Sequence, residues 1–119
     1  MVDVYHYAKC STCKRALKWL DAEGIAYTAR PIVEDTPSAE QLKAAIERSG
    51  LPLRRFFNTS GQAYREGGYR DNVGDMTVDD AAEALAANGM LIKRPLVISD
   101  TLVLVGFKED AWAHAFSRD

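Results

Sequence analysis

Residues 2–20 read VDVYHYAKCSTCKRALKWL, and this stretch decides the fold. Its first part, residues 2–7, contains valine and tyrosine, which favour a β-strand, and leads directly into Cys10-Ser11-Thr12-Cys13. From Cys13 onward the spacing of apolar side chains changes to that of a helix. The apolar residues on one helical face are Ala16, Leu17 and Leu20. The stretch therefore predicts a strand, a turn that carries the cysteine motif, and a helix.

This helix has signals at both ends. Ser11 or Thr12 is available near its N-cap, and Gly24 is suited to its C-terminal end. Residues 25–32 contain tyrosine and threonine and predict a second strand. A β-α-β order implies two parallel neighbouring strands joined by a right-handed crossover.

Capping patterns predict two further helices. Ser38 with Gln41 three residues later makes a capping box, and the helix that follows extends to Gly50. Thr77 with Asp80 makes the same pattern before an alanine-rich helix. Two helices are thus expected between the second strand and the C-terminal part of the chain.

The segments between these helices carry weaker signals. Pro52 suits the start of a short helix over residues 53–57, and residues 58–61 resemble a turn. Residues 62–74 are polar and rich in glycine, so we expect loops there.

The C-terminal part predicts a hairpin and a helix. Leu96–Ile98 and residues 102–105 are two β-rich runs with a short polar connection. The last helix begins near Lys108. Its predicted buried residues are Ala111, Trp112, Ala115 and Phe116. The order is β-α-β, a helical insertion, then β-β-α, which we interpret as a single α/β domain over residues 1–119.

Composition limits the function classes. A chain of 119 residues with 47% hydrophobic content can form the core of one compact domain. Fifteen Lys and Arg against seventeen Asp and Glu give a net charge of −2, which argues against a dedicated nucleic-acid binder. No apolar run approaches the roughly 18 residues of a membrane helix, and the first residues lack the pattern of a signal peptide. We expect a cytoplasmic protein that binds neither a membrane nor nucleic acid directly.

The cysteine motif predicts redox chemistry. A thiol is nucleophilic only as thiolate, and the start of a helix favours negative charge, which makes Cys10 the candidate attacking thiolate. Cys13 lies one helical turn further on, where it can act as the resolving thiol and close a disulfide.

Two alternatives to this redox pair stay open at this point. A zinc site would need four ligands, but His6 and His114 are isolated, so we predict no metal. Cys13 could also be only a buried apolar residue, which would leave a one-cysteine mechanism.

A second candidate functional motif is Lys93-Arg94-Pro95. An X-Pro bond can be cis, and Pro95 stands just before a predicted strand, so the preceding residue would be exposed at a sharp bend. Arg94 is then a candidate to bind an oxyanion, because a guanidinium offers a planar fork of donors. An ordinary solvated arginine at a strand start fits the local sequence equally well.

Three segments together resemble the arsenate reductase and Spx family, a branch of the thioredoxin fold. They read YAKCSTCK over residues 7–14, MLIKRPL over residues 90–96 and VGFKED over residues 105–110. The resemblance covers nearly the whole chain. It implies a four-stranded mixed sheet, a helical insertion between the second and third strands, and a cis Arg94–Pro95 bond beside Cys10.

The family's glutaredoxin-dependent arsenate reductases suggest one function. There, a cysteine matching Cys10 attacks arsenate and three arginines hold the oxyanion. Arg94 matches one of these arginines, whereas Asn58 and Phe107 stand where the other two are expected. An anion here would be held by Arg94 and the helix amides at Ser11 and Thr12, with Lys108 and Asn58 as further candidates. We therefore expect a thiol–disulfide redox protein in which arsenate reduction is weak or absent. It would need no bound cofactor and would use an external thiol reductant, either glutaredoxin with glutathione or thioredoxin.

The Spx regulators suggest an alternative function. They share the cysteine pair and an arginine matching Arg94, and they bind the RNA polymerase α subunit rather than catalyse turnover. Pro52 stands where those regulators carry a glycine, flanked by Arg54 and Arg55 where they are acidic. The alternative is a redox-controlled regulator that binds the polymerase through this surface.

Overall fold

The structure is a computed structural model that describes residues 2–117. Four strands form one mixed sheet in the order β2-β1-β3-β4. The strands are β1 (Val2–His6), β2 (Tyr27–Pro31), β3 (Leu96–Ile98) and β4 (Val103–Val105). β1 pairs parallel with β2 and antiparallel with β3, and β3 pairs antiparallel with β4. The parallel β-α-β pair, the hairpin and the four-stranded mixed sheet are all confirmed.

The chain forms two compact units. The first contains the described residues up to Pro31 and from Arg94 onward, and it holds the sheet, α1 (Ser11–Ala22) and α6 (Glu109–Ala115). The second spans residues 32–93 and is the helical insertion between β2 and β3. That the whole chain is one domain stays a prediction. None of the helices within residues 2–117 is long and apolar enough to span a membrane.

The core of the first unit lies between its sheet and its helices. Val4 of β1 and Val97 of β3 are fully buried and pack with Ala16 and Leu20 of α1 and with Trp112 of α6. The predicted apolar stripe of α1 is therefore the face that covers the sheet. This packing fixes α1, which begins directly after Cys10 and contains Cys13.

Helix α6 buries less of its surface than the sequence predicts. Trp112 is buried, Ala115 and Phe116 are half-buried, and Ala111 is exposed. The prediction that Ala111 is buried is wrong. Successive residues of a helix point about 100° apart, so Ala111 falls off the face that its neighbour Trp112 anchors.

Helix α2 (Ala39–Ser49) in the second unit has the predicted capping box. The Ser38 hydroxyl accepts a hydrogen bond from the Gln41 backbone N–H at 3.1 Å, and the Gln41 side-chain oxygen accepts one from the Ser38 N–H at 2.9 Å. The helix ends at Gly50, whose φ of 68° is left-handed and suits glycine.

Helix α5 (Val78–Ala87) begins in the same way and packs against α2. The Thr77 hydroxyl accepts a hydrogen bond from the Asp80 backbone N–H at 3.0 Å. A 3₁₀ helix over Gly89–Leu91 follows α5. The prediction of two capped helices in the insertion is confirmed.

The prediction of loops over residues 62–74 is wrong. This segment contains α3 (Gln62–Glu66), α4 (Tyr69–Asn72) and the start of a 3₁₀ helix over Val73–Asp75. Gly68, with φ 70°, joins α3 to α4. The physical reason is aromatic packing, which a polar and glycine-rich composition conceals. The rings of Phe57, Tyr64 and Tyr69 contact one another with centroid distances of 5.3 to 6.1 Å.

The segment before α3 agrees with the prediction. A 3₁₀ helix over Leu53–Phe56 follows Pro52, and the Asn58 carbonyl accepts a hydrogen bond from the Gly61 N–H at 3.0 Å to close the turn. Phe57 forms an isolated antiparallel bridge with Ile92. This bridge ties the segment to the end of the insertion.

Candidate functional site

Cys10 is the N-cap of α1. Its backbone N–H donates to the Tyr7 carbonyl at 3.0 Å, and its carbonyl accepts from the Lys14 N–H at 3.1 Å. Its Sγ accepts a hydrogen bond from the Cys13 backbone N–H at 3.2 Å. The capping role that the sequence assigns to Ser11 or Thr12 therefore belongs to the Cys10 sulfur, because the chain enters the helix one residue earlier. An acceptor at this position lies where the helix favours negative charge.

Cys13 is buried within the first turn of α1, with 1% of its surface exposed. Burial comes first among the causes, followed by the hydrogen bond and negative charge of the Cys10 side chain, and together they raise the pKa of the Cys13 thiol to about 12. Two effects weaker than burial lower this pKa: a hydrogen bond from the Tyr7 backbone and the positive charge of Arg94. Cys13 is thus held as a thiol at neutral pH.

Arg94 and Pro95 reach the same region from the start of β3. The Arg94–Pro95 peptide bond is cis, as the resemblance implies. The Arg94 guanidinium lies 5.0 Å from the centre of the Tyr7 ring and is close enough to Cys13 to act on its thiol. Pro95 is buried, and its carbonyl accepts a hydrogen bond from the Gly106 N–H at 2.9 Å. The first unit therefore brings Arg94 close to Cys10 and Cys13, although Arg94 is far from both cysteines in the sequence.

The remaining predicted anion-binding residues lie in different places. Ser11 is exposed at the first position of α1, and Thr12 beside it is half-buried. Lys108 is the exposed N-cap residue of α6. Asn58 is half-buried in the second unit, where its backbone N–H donates to the Leu91 carbonyl at 2.8 Å.

Phe107 belongs to an aromatic cluster in the first unit. Its ring lies 4.8 Å from Trp112 in a T-shaped arrangement and 6.3 Å from Trp19. The Trp112 indole N–H donates to the Gly106 carbonyl at 3.0 Å, which fixes the backbone next to Phe107. Phe107 stands where the resemblance to the arsenate reductases leads us to expect an arginine, and in this chain it is part of the apolar packing.

The structure adds Tyr7 to the site, a residue that the sequence prediction missed. Tyr7 follows the last residue of β1, its carbonyl holds the Cys10 N–H, and its ring faces Arg94. The only signal in the sequence is an aromatic residue three positions before Cys10. The pairing with Arg94 depends on the approach of β3 to β1, which local sequence does not encode.

The histidines do not complete a metal site with the cysteines in the part of the chain that the structure describes. His6 ends β1 and is half-buried, and His114 is exposed in α6. Over residues 2–117, no group of three or more His, Cys, Asp or Glu is arranged to hold a metal ion. The prediction of no metal stays a prediction.

The arrangement supports thiol chemistry. One sulfur is half-buried at a helix N-terminus and accepts the backbone N–H of the second cysteine, whose thiol is buried, and a guanidinium lies nearby. These groups can attack an electrophilic sulfur or an oxidant, close a disulfide, and attract an anion.

Comparison with known proteins gives consistent results. The sequence model of the ArsC family matches residues 5–115. The chain is 50% identical over 106 residues to the uncharacterized protein YusI of Bacillus subtilis strain 168, a match that covers 89% of this chain and 90% of YusI. It is similar to a crystal structure described as a possible arsenate reductase from Streptococcus mutans UA159, with 41% identity, a TM-score of 0.91 and 98% of each chain covered.

A regulator is also among the relatives. The chain is 24% identical over 119 residues to the global transcriptional regulator Spx of Enterococcus faecalis strain V583, which covers 100% of this chain and 89% of Spx. The relatives thus include both of the groups that the sequence motifs resemble.

Proposed function

The chain belongs to the ArsC family, and from this premise we propose that it is a thiol–disulfide oxidoreductase in which Cys10 attacks and Cys13 resolves. The observation that carries the proposal is the contact between the two cysteines. The Cys10 sulfur accepts the Cys13 N–H at 3.2 Å, and the buried Cys13 side chain lies within the same helical turn. A pair held in this way can form a bond between its sulfurs without moving a second element.

The reaction with a disulfide substrate has two exchanges. The Cys10 thiolate attacks one substrate sulfur, a mixed disulfide forms, and the first substrate thiolate leaves. Cys13 then loses its proton and attacks the Cys10 sulfur, and the second substrate thiolate leaves. Two electrons pass to the substrate, which becomes two thiols, and the protein is left with a Cys10–Cys13 disulfide. An external thiol reductant, glutaredoxin with glutathione or thioredoxin, returns two electrons and restores both thiols.

The order of the two steps follows from the charge at Cys10. While Cys10 is a thiolate, its charge and its hydrogen bond help to keep the pKa of Cys13 high. Formation of the mixed disulfide removes the charge from Cys10, so two of the causes that hold the Cys13 proton disappear. Burial still raises the pKa of Cys13, but the loss of these two causes lets Cys13 lose its proton more readily once Cys10 has reacted.

Arg94 has two roles in this proposal. Its positive charge stabilises negative charge at the sulfurs, and its fork of donors binds an anionic group of the substrate. Backbone amides at Ser11 and Thr12 and the side chain of Lys108 are the further proposed anion donors in the first unit. That Asn58, which lies in the second unit, also binds the anion stays a prediction from the sequence.

Mild oxidation tests the proposal. One equivalent of hydrogen peroxide converts Cys10 to a sulfenic acid, Cys13 displaces the oxygen as water, and the sum of the two steps is one disulfide and two molecules of water. The intact mass should fall by about two hydrogens, and thioredoxin or glutaredoxin should restore it. Cys13→Ser serves as the control and should instead gain oxygen or form a dimer. A parent protein that behaves like Cys13→Ser would contradict the resolving role of Cys13.

A second candidate function is supported by a groove in the second unit. Its volume is about 460 Å³, and it is lined by Pro52, Leu53, Arg54, Arg55, Val73 and Gly74. Both arginines are exposed. This is the surface that the resemblance to Spx assigns to the RNA polymerase α subunit, so the groove supports a regulator that binds the polymerase.

A pull-down with purified polymerase α subunit separates the two functions. Retention of the α subunit by the parent protein, and its loss in an Arg54→Glu/Arg55→Glu variant, would favour the regulator. Lys43→Glu is the control for a charge change elsewhere in the same unit, since Lys43 pairs with Asp79 away from the groove. No retention would leave the oxidoreductase as the function of this chain.

A further inference from the structure

We propose that Tyr7 is a positioning residue, whose ring holds the Arg94 guanidinium beside the cysteine pair while its carbonyl fixes the backbone of Cys10. The ring centre lies 5.0 Å from the guanidinium, and the carbonyl accepts the Cys10 N–H at 3.0 Å. A single residue at the end of β1 thus contacts both groups that carry the chemistry.

The contact with Arg94 has the geometry of a cation–π interaction. Such an interaction requires the cation within about 6 Å of the ring centre, and Tyr7 meets this condition. Both side chains are half-buried, so the interaction is screened less than it would be in open solvent. The ring therefore limits the positions that the guanidinium can adopt and favours those over the site.

The backbone contacts of Tyr7 explain why the position matters. The Tyr7 carbonyl holds the turn that leads into α1, and a hydrogen bond from the Tyr7 backbone also reaches the Cys13 thiol. Any residue other than proline can make these backbone contacts at position 7. The ring is what the tyrosine adds, and its contact is with Arg94.

The inference deepens the proposed function, because it assumes that Cys10 is the reacting sulfur. It predicts that loss of the ring weakens the positive potential at Cys10 without removing the sulfur or the charge. A merely structural role for Tyr7 would not change the preference of Cys10 between charged and neutral reagents.

The experiment compares two alkylating reagents of similar size. In a Cys13→Ser background, Cys10 is the remaining thiol, and its rate constants with anionic iodoacetate and neutral iodoacetamide are measured at low salt. Tyr7→Leu should lower the iodoacetate-to-iodoacetamide ratio about two- to fivefold, the range that a cation–π interaction at such a site supports. Tyr7→Phe should restore the ratio, because phenylalanine keeps the π face.

Two controls test the route of the effect. Tyr27→Leu removes another tyrosine ring of the first unit, one whose hydroxyl bonds to Asp21, and should leave the ratio unchanged. In an Arg94→Ala background, Tyr7→Leu should lower the ratio no further, because the ring would have no guanidinium to hold.

Specific outcomes would overturn the inference. An unchanged ratio in Tyr7→Leu, or an equal fall with and without Arg94, would show that Tyr7 does not act through the guanidinium. If Tyr7→Leu fails to fold, Tyr7→Trp is measured instead, because tryptophan binds cations more strongly than tyrosine does. An iodoacetate-to-iodoacetamide ratio equal to or higher than that of the parent supports the inference, and a lower ratio contradicts it. If Cys10 in the parent reacts no faster than the thiol of the unfolded chain, the proposed function fails, while the comparison of ratios still decides the role of Tyr7.

Discussion

The proton of Cys13 should control the second step of thiol exchange. Its pKa is raised to about 12 by burial and by Cys10, so the thiol form dominates at neutral pH and the thiolate fraction grows as pH rises. Reaction with Ellman's reagent separates the steps, because attack by Cys10 releases one chromophore and closure by Cys13 releases a second. We expect the second release to accelerate between about pH 6.5 and 8.5, by at most about tenfold per pH unit.

Cys13→Ser is the control for this assignment and should release only the first chromophore at every pH. A second release with the same rate across the pH range would show that deprotonation of Cys13 does not limit closure.

Arg94 should be the main anion donor of the site. Arsenate or phosphate should slow alkylation of Cys10 in the parent protein, and Arg94→Ala should weaken this protection by about tenfold or more, because hydrogen bonds to charged groups contribute about 1.5–3 kcal/mol. Lys18→Ala removes an exposed charge from α1 in the same unit and should have little effect. Lys108→Ala measures the contribution of the second proposed cation. Equal protection in the parent and in Arg94→Ala would remove Arg94 from the anion site.

The capping box of α2 should contribute measurably to stability. Ser38→Ala removes the acceptor for the Gln41 N–H and should lower the free energy of unfolding by about 1 kcal/mol. Ser60→Ala, in an exposed turn, should change it by less than about 0.5 kcal/mol. Urea denaturation of both variants checks the difference, and equal stability would mean that the α2 cap does not contribute.

Two glycines in 3₁₀ helices should respond differently to alanine. A Cβ at Gly89 would collide with the Ile32 carbonyl, whereas a Cβ at Gly74 would meet no atom within 4 Å. Gly89→Ala should therefore lower the melting temperature, and Gly74→Ala should leave it nearly unchanged. Thermal unfolding followed by circular dichroism measures both, and an unaffected Gly89→Ala variant would show that the backbone near Ile32 yields readily.

Elements with local signals were predictable from the sequence. The capping boxes at Ser38 and Thr77 depend on residues three positions apart, and both α2 and α5 form as expected. Residues 62–74 were not predictable as helices, because the rings of Tyr64 and Tyr69 are held by Phe57 from an earlier segment. Long-range packing outweighed local composition in that case.

The candidate site divides in the same way. The cysteine motif at a strand-to-helix turn could be predicted from residues 2–20. Local sequence left Arg94 open between an anion donor and a solvated side chain, and the resemblance to a family favoured the first and implied the cis bond before Pro95. The sulfur cap at Cys10 and the ring of Tyr7 over Arg94 could not be predicted, since the first depends on where the helix begins and the second on how β3 approaches β1.

The activity of the whole molecule should differ from that of an efficient arsenate reductase. Phe107 packs against Trp112 and Trp19, so it supplies no donor to an oxyanion, and Asn58 has a neutral side chain where the resemblance leads us to expect a second arginine. Loss of one preorganised donor can cost on the order of a hundredfold in rate. We expect arsenate reduction with glutathione and glutaredoxin to be at least about a hundredfold slower than that of an established family reductase.

Reduction of low-molecular-weight disulfides by the same preparation is the control, because it needs no clamp for an oxyanion. Arsenate turnover equal to that of the reference reductase would show that other donors complete the clamp, and Lys108→Ala would then be the first variant to measure.

Because the Cys10 sulfur caps α1, the helix also affects the reduction potential of the cysteine pair. In the reduced state the Cys10 sulfur accepts the Cys13 N–H at the start of the helix, and a disulfide sulfur would be a poorer acceptor at that end. Whatever stabilises the dithiol relative to the disulfide raises the reduction potential of the pair. The helix terminus therefore biases the molecule towards accepting electrons, so that its oxidised form should hand its disulfide on to other thiols more readily than an uncapped pair would.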